Sequence, residues 1–123
     1  MLRQLLDNRA LFKVLLAAAV IFISISCFIK GVDSPLKNDK LEHFLAFFGL
    51  AFIAHHAMRT GFAVQLFLLL GYGAWIELVQ YFLPYRSSAM NDFFADIAGV
   101  CCYHAFYQVY AWAAQNNFVP SLR

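Results

Sequence analysis

Long apolar runs alternate with short polar breaks along this chain, and the breaks divide it into four helix-length pieces. Residues 11–29 form the first run, interrupted only by Lys13 near its start, where a long side chain can reach back to a polar boundary. Residues 30–40 (KGVDSPLKNDK) end it with Gly, Pro, Ser, Asn and Asp, the residues that punctuate loops. The second run covers 41–58, with Glu42 and His43 at its entrance and His55-His56 near its exit. Arg59-Thr60-Gly61 connects it tightly to a third run over 62–83, and the polar loop 84–92 precedes a fourth over 93–113. No stretch has the period-two alternation of a strand. Each run comes close to the roughly 20 residues that span a bilayer's hydrocarbon core as helix. The pattern predicts an all-α fold, an integral membrane four-helix bundle of up-down topology with short loops. It would occupy residues 11–113, with a short polar segment (1–10) before it and a polar tail (114–123) after it. Asn38 or Asp39 is placed to cap the second helix.

Composition strengthens the membrane expectation. The chain is 63% hydrophobic and 13% charged, against roughly 45–50% and about 25% in soluble domains. A small soluble domain has a large surface to cover for its volume, so most of this surface must face lipid. A basic start before an apolar run also describes a signal peptide. The run here exceeds the roughly 7–15 residues of a signal core and lacks a clear small-x-small cleavage pattern, so it reads as an uncleaved first membrane helix. The net charge of +2 gives no basic patch, so membrane lipids rather than nucleic acid are the expected partners. Cys27, Cys101 and Cys102 lie inside apolar runs with no CxxC or Cys/His metal spacing, and read as packing residues.

Alternating crossings then supply geometry. Loops 30–40 and 84–92 fall on one side of the membrane; loop 59–61 and both termini fall on the other. His43 enters from the first side, Glu77 and Gln80 lie near that exit, and Asp92 and Asp96 re-enter there, so the unusual polar residues converge at one face whatever the orientation. Arg3, Arg9, Lys13, Arg59 and Arg123 on one side against Lys30, Lys37, Lys40 and Arg86 on the other lean toward an amino terminus inside.

Helical spacing sorts these residues further. Asp39, Lys40 and His43 share one side of a helix entrance. Glu77 and Gln80 are three apart, with Gly73 one turn before and Tyr81 assigned to the same stripe. Asp92 and Asp96 are four apart, and their face continues through Gly99, Tyr103, Tyr107 and Tyr110. His55 and His56 point away from the His43 face and are left out of the site. A carboxylate at the centre of a membrane helix costs about 2.5–3.5 kcal/mol. Glu77 and Asp96, the deeper of the acids, are therefore expected to face the interior with partners. The planar fork of Arg86 suits a carboxylate or a phosphate.

The expected ligand-binding set is Asp39, Lys40, His43, Glu77, Gln80, Arg86, Ser87, Asp92 and Asp96, with Lys40 and Arg86 at the rim. Three functions compete for it. It could hold an anionic lipid or lipid-linked headgroup. It could be an intramembrane enzyme acting on a lipid phosphate, with His43 or Asp92 as acid/base. Or it could belong to a structural or partner-binding subunit, its polar network only locking the helices. Interhelical polar contacts average about 0.6 kcal/mol, too little to account for several buried ionisable groups. His43, Glu77, Asp92 and Asp96 suit a divalent ion by donor type, but no local motif such as HExxH supports one. No metal ligands are assigned, and the cofactor is left open. The tyrosine stripe reads as packing, and Gly73 and Gly99 as points of close helix approach.

Asp39-Lys40-Leu41-Glu42-His43-Phe44, Glu77-Leu78-Val79-Gln80, Pro84-Tyr85-Arg86-Ser87 and Asp92-Phe93-Phe94-Ala95-Asp96-Ile97-Ala98-Gly99 together resemble the VanZ-like family of small integral membrane proteins. That family carries D-K-x-x-H, E-x-x-Q, P-x-R-S and D-x-x-A-N-x-x-G in this order, and the likeness covers roughly residues 37 to 105. Asp96 stands where the family pattern often has Asn, and Tyr85 where a glycine is common. The resemblance implies a four-helix multi-pass protein of the cell membrane and the nine motif positions named above, without roles for them. One family member is linked to low-level resistance to the glycopeptide teicoplanin. Envelope-synthesis proteins are the partners the resemblance suggests.

Overall fold

The computed structural model describes residues 1–30, 36–86 and 88–120. Among them the fold is all-α and has five helices: α1 (Leu2–Leu6), α2 (Arg9–Phe28), α3 (Asp39–Ala57), α4 (Phe62–Phe82) and α5 (Met90–Gln115). The four long helices lie on the four apolar runs. α4 begins at Phe62 as expected, while the other three start two or three residues early because capping, not hydropathy, decides where a helix begins. The Asn8 side chain accepts the Leu11 amide at 3.1 Å and the Asn38 side chain accepts the Leu41 amide at 3.1 Å, so α2 starts at Arg9 and α3 at Asp39. The last helix takes in the polar residues Asn91 and Asp92 and begins at Met90.

α3 is the central element. It packs most extensively against α5, and it also meets α2 and α4. The seam with α5 depends on Gly99, where an added Cβ would collide with the Phe44 carbonyl oxygen and lie 3.0 Å from the Phe48 amide nitrogen. The two backbones therefore approach as closely as small-residue interfaces allow. Around the seam Phe47, Leu50, Ala51, Ala54, Ile76 and Val100 are almost completely buried. Tyr72 ties α4 to α2, donating its hydroxyl to the Val20 carbonyl at 3.0 Å and accepting from Ser24 at 2.7 Å.

The outer surface is apolar. α2 buries only Phe12 and exposes Val14, Leu15, Ile21, Phe22 and Ile25, while α4 exposes Phe67, Leu68, Trp75 and Leu78. α2 and α4 are long and apolar enough to cross a membrane, each about 30 Å at 1.5 Å per residue. α3 and α5 do not meet that measure: α3 carries Asp39, Lys40, Glu42 and three histidines, and α5 carries Asp92, Asp96 and His104.

Candidate functional site

Four chain segments bring their polar residues to one end of the structure. The C-terminal turn of α2, the first turns of α3, the last turns of α4 and the start of α5 surround a cavity of about 540 Å³. Its outer wall includes Phe22 and Leu45, both exposed, and its inner wall includes His43, Gln80 and Asp92. Asp39, Glu42, Tyr85 and Arg86 also line it.

Behind that wall lies the most buried polar group of the fold. Asp96 is wholly buried, and its Oδ1 sits 2.8 Å from His43 Nδ1. With Asp96 ionised, Nδ1 carries the hydrogen, which fixes the tautomer and the ring plane. Nε2 on the far side of the ring lies 4.0 Å from Asp92 Oδ2. Room for Asp96 comes from Gly73: a Cβ there would stand 2.8 Å from Asp96 Oδ2 and 3.3 Å from the Phe47 ring. Gly73 thus serves a side-chain notch rather than the backbone approach expected of it.

Glu77, one turn beyond Gly73, uses one oxygen on the start of α5. Its Oε2 accepts from Ser88 Oγ at 3.0 Å and from the Ala89 amide at 3.1 Å. Ala89 is the N-cap of α5 and offers no side-chain cap of its own, so a carboxylate from a neighbouring helix takes that place, where the helix dipole also favours a negative charge. Among the described residues the other oxygen, Oε1, is buried without a hydrogen-bond partner, as is Asp96 Oδ2. His43, Glu77 and Asp96 each offer a ligand-type atom within 4.8 Å of the others.

Gln80, Tyr85 and Arg86 have a different task. The last carbonyls of a helix lack intrahelical partners, and α2 ends without a glycine cap. Gln80 Nε2 donates to the Cys27 carbonyl at 3.1 Å and Tyr85 donates to Phe28 at 2.8 Å. Arg86 Nη2 donates to Ser26 at 2.9 Å and to Ile29 at 2.6 Å. The guanidinium expected to grip a carboxylate or phosphate is turned onto backbone carbonyls, where a cation complements the negative end of the helix.

The expected set therefore divides. His43, Glu77 and Asp96 form an inner cluster, with Asp92 beside His43. Gln80 and Arg86 cap α2 at the cavity edge, and Asp39 stands at the rim, exposed. Lys40 is exposed and outside the cavity lining, because at about 100° per residue it falls to the outer side of the face shared by Asp39, Glu42 and His43. Ser87 lies outside the described residues. Tyr81 leaves its assigned stripe and is 74% exposed, since the buried face runs from Gly73 through Glu77 to Gln80 and drifts away from it. Glu42 and Tyr85 were missed. Glu42 accepts the Leu36 amide at 2.9 Å and lines the cavity; its signal was the spacing of 39, 42 and 43 on one face. His55 lies elsewhere, against Tyr103, Tyr107 and His104, with its Nδ1 3.1 Å from the Tyr103 hydroxyl. His56 stacks on Phe12.

Fold and site together define an all-α protein with an apolar exterior and a polar cavity at the ends of its long helices. The chain belongs to the VanZ/LLP1 family, whose model matches residues 8–111. No curated protein and no solved structure matches it.

Proposed function

We propose that this is a four-crossing membrane protein that draws the polar head of a lipid into the cavity while the acyl chains stay in the bilayer. The observation that carries this reading is the cavity's graded lining, exposed apolar chains (Phe22, Leu45) at its mouth and His43 and Asp92 inside. A volume of about 540 Å³ falls within the roughly 300–1,000 Å³ of small-molecule sites. All four long helices fit a crossing role. α2 and α4 suit it by composition, α3 keeps Asp39 and Glu42 in its first turn, and α5 buries Asp92 and Asp96 away from the surface.

The lining also narrows the headgroup. Asp39, Glu42 and Asp92 set three carboxylates against the one guanidinium of Arg86. Carboxylates accept hydrogen bonds and repel bare anions. A phosphate-bearing head that also carries hydroxyl or amine donors, as a lipid-linked sugar or an amino-alcohol phospholipid does, suits this wall better than a simple anionic lipid.

Native mass spectrometry of the wild type and Leu45→Trp tests the proposal, with phospholipids and sugar-bearing polyprenyl phosphates as ligands. The wild type should retain one such lipid and Leu45→Trp, its mouth narrowed, should retain less. Equal retention by both would reject the cavity as the site. A second reading, an enzyme acting on a lipid phosphate, is favoured by the His43–Asp96 pair, since an oriented imidazole beside the cavity is a proton-transfer group. Phosphate release from labelled lipid phosphates by the purified protein would support it, and none from a broad panel would reject it.

A further inference from the structure

We propose that His43, Glu77 and Asp96 form a binding site for one divalent transition-metal ion of the Zn²⁺ or Mn²⁺ class. The proposal rests on the cluster alone and stands or falls apart from the lipid reading. Asp96 is wholly buried and Glu77 is 8% exposed, yet Asp96 Oδ2 and Glu77 Oε1 have no hydrogen-bond partner among the described residues. Buried carboxylate oxygens are expensive to leave unpaired, and both residues stand with the His43 imidazole in a cluster where one ligand-type atom of each lies within 4.8 Å of the others.

The other hydrogen bonds of these residues are already placed. Glu77 Oε2 holds the start of α5, and an ion on His43 Nδ1 would replace the hydrogen that Nδ1 shares with Asp96 Oδ1, so the two free oxygens are surplus to the structural network. Two carboxylates beside one imidazole leave negative charge that a dication would neutralise. One nitrogen and two carboxylate oxygens match zinc or manganese better than calcium or magnesium, which prefer all-oxygen shells. Three protein ligands would leave a coordination position open, as in catalytic rather than structural zinc sites. Bonds of about 2.1 Å in a tetrahedron set donors about 3.4 Å apart, so the cluster would close on an ion by side-chain shifts of about an ångström.

The test uses the full chain in mild detergent, stripped with chelator and titrated with Mn²⁺ and Zn²⁺. One ion should bind per chain. Glu77→Gln and Asp96→Asn, which keep shape and hydrogen bonds, should each weaken binding by on the order of tenfold or more. His56→Gln, at the other end of the fold, should bind as the wild type does. Circular dichroism checks that the variants fold. Independently of them, Co²⁺ bound to the wild type should give the intense visible absorption of a low-coordinate site. No stoichiometric ion on folded wild type, unchanged affinity in both amide variants, or a weak six-coordinate Co²⁺ spectrum would each overturn the site.

Discussion

At the residue scale the pairing of His43 with Asp96 is the contact on which the inner site depends. Asp96→Ala would leave His43 Nδ1 without an acceptor and open a void behind the ring, at a cost of about 1–3 kcal/mol for the unpaired group. Asp96→Asn keeps an acceptor and removes a buried charge. In thermal unfolding, Asp96→Ala is expected to melt clearly below the wild type, with Asp96→Asn close to it; equal melting of the two would deny the contact its role. Gly73→Ala probes the same contact from α4, since its methyl meets Asp96 Oδ2, whereas an added Cβ at Gly71 meets nothing within 4 Å. Gly73→Ala should move the His43 ring NMR signals while Gly71→Ala leaves them in place. These inner residues were legible because a deep carboxylate in an apolar helix demands a partner, and that demand pointed at Glu77 and Asp96 directly. Arg86 was not legible in the same way. Its acceptors are backbone carbonyls of α2, and a carbonyl looks the same in every sequence.

At the element scale, the same uncapped carbonyls explain how α2 is held. α2 has one fully buried residue, Phe12, and leans on the core through half-buried side chains such as Leu16, Val20, Ile23 and Phe28, so side chains from 80 to 86 secure its far end in addition to that packing. Arg86→Ala removes two charge-assisted bonds and Tyr85→Phe one neutral bond. The expected losses are about 1.5–3 kcal/mol for each charged contact and about 0.5–1.5 kcal/mol for the neutral one, at most. Arg86→Ala should therefore raise protease sensitivity around residue 30 more than Tyr85→Phe does, and the reverse order would refute the capping account. The α3–α5 seam is stiffer. Gly99→Ala forces a methyl onto the Phe44 carbonyl, and overpacking of this kind costs about 1–3 kcal/mol. The existence of the four long helices was readable from hydropathy; α1, inside the polar segment 1–10, was not. Helix starts were less so, because Asn8 and Asn38 set them through hydrogen bonds that hydropathy does not encode.

At the scale of the whole molecule, the polar cluster and the apolar exterior belong together: the fold hides Glu77, Asp92 and Asp96 among α3, α4 and α5 and leaves apolar faces of α2 and α4 turned outward. Four crossings would put residues 36–40 and 84–89 on one side of the membrane and residues 59–61 on the other. Single cysteines at Lys37, Ser88 and Arg59, in a background without Cys27, Cys101 and Cys102, should show the first two labelled by an impermeant reagent from one side and the third from the opposite side. Labelling of Lys37 and Ser88 from opposite sides would reject that topology. The most direct measurement of the proposed function is cross-linking of a photoactivatable, sugar-bearing lipid phosphate to the protein in bilayers, with the adducts mapped by mass spectrometry. Headgroup adducts concentrated at Ser26, His43 and Ala46, and lost in the presence of excess unlabelled lipid, are the predicted result; adducts spread over the outward faces of α2 and α4, at residues such as Val14 and Phe67, and indifferent to competitor would contradict it.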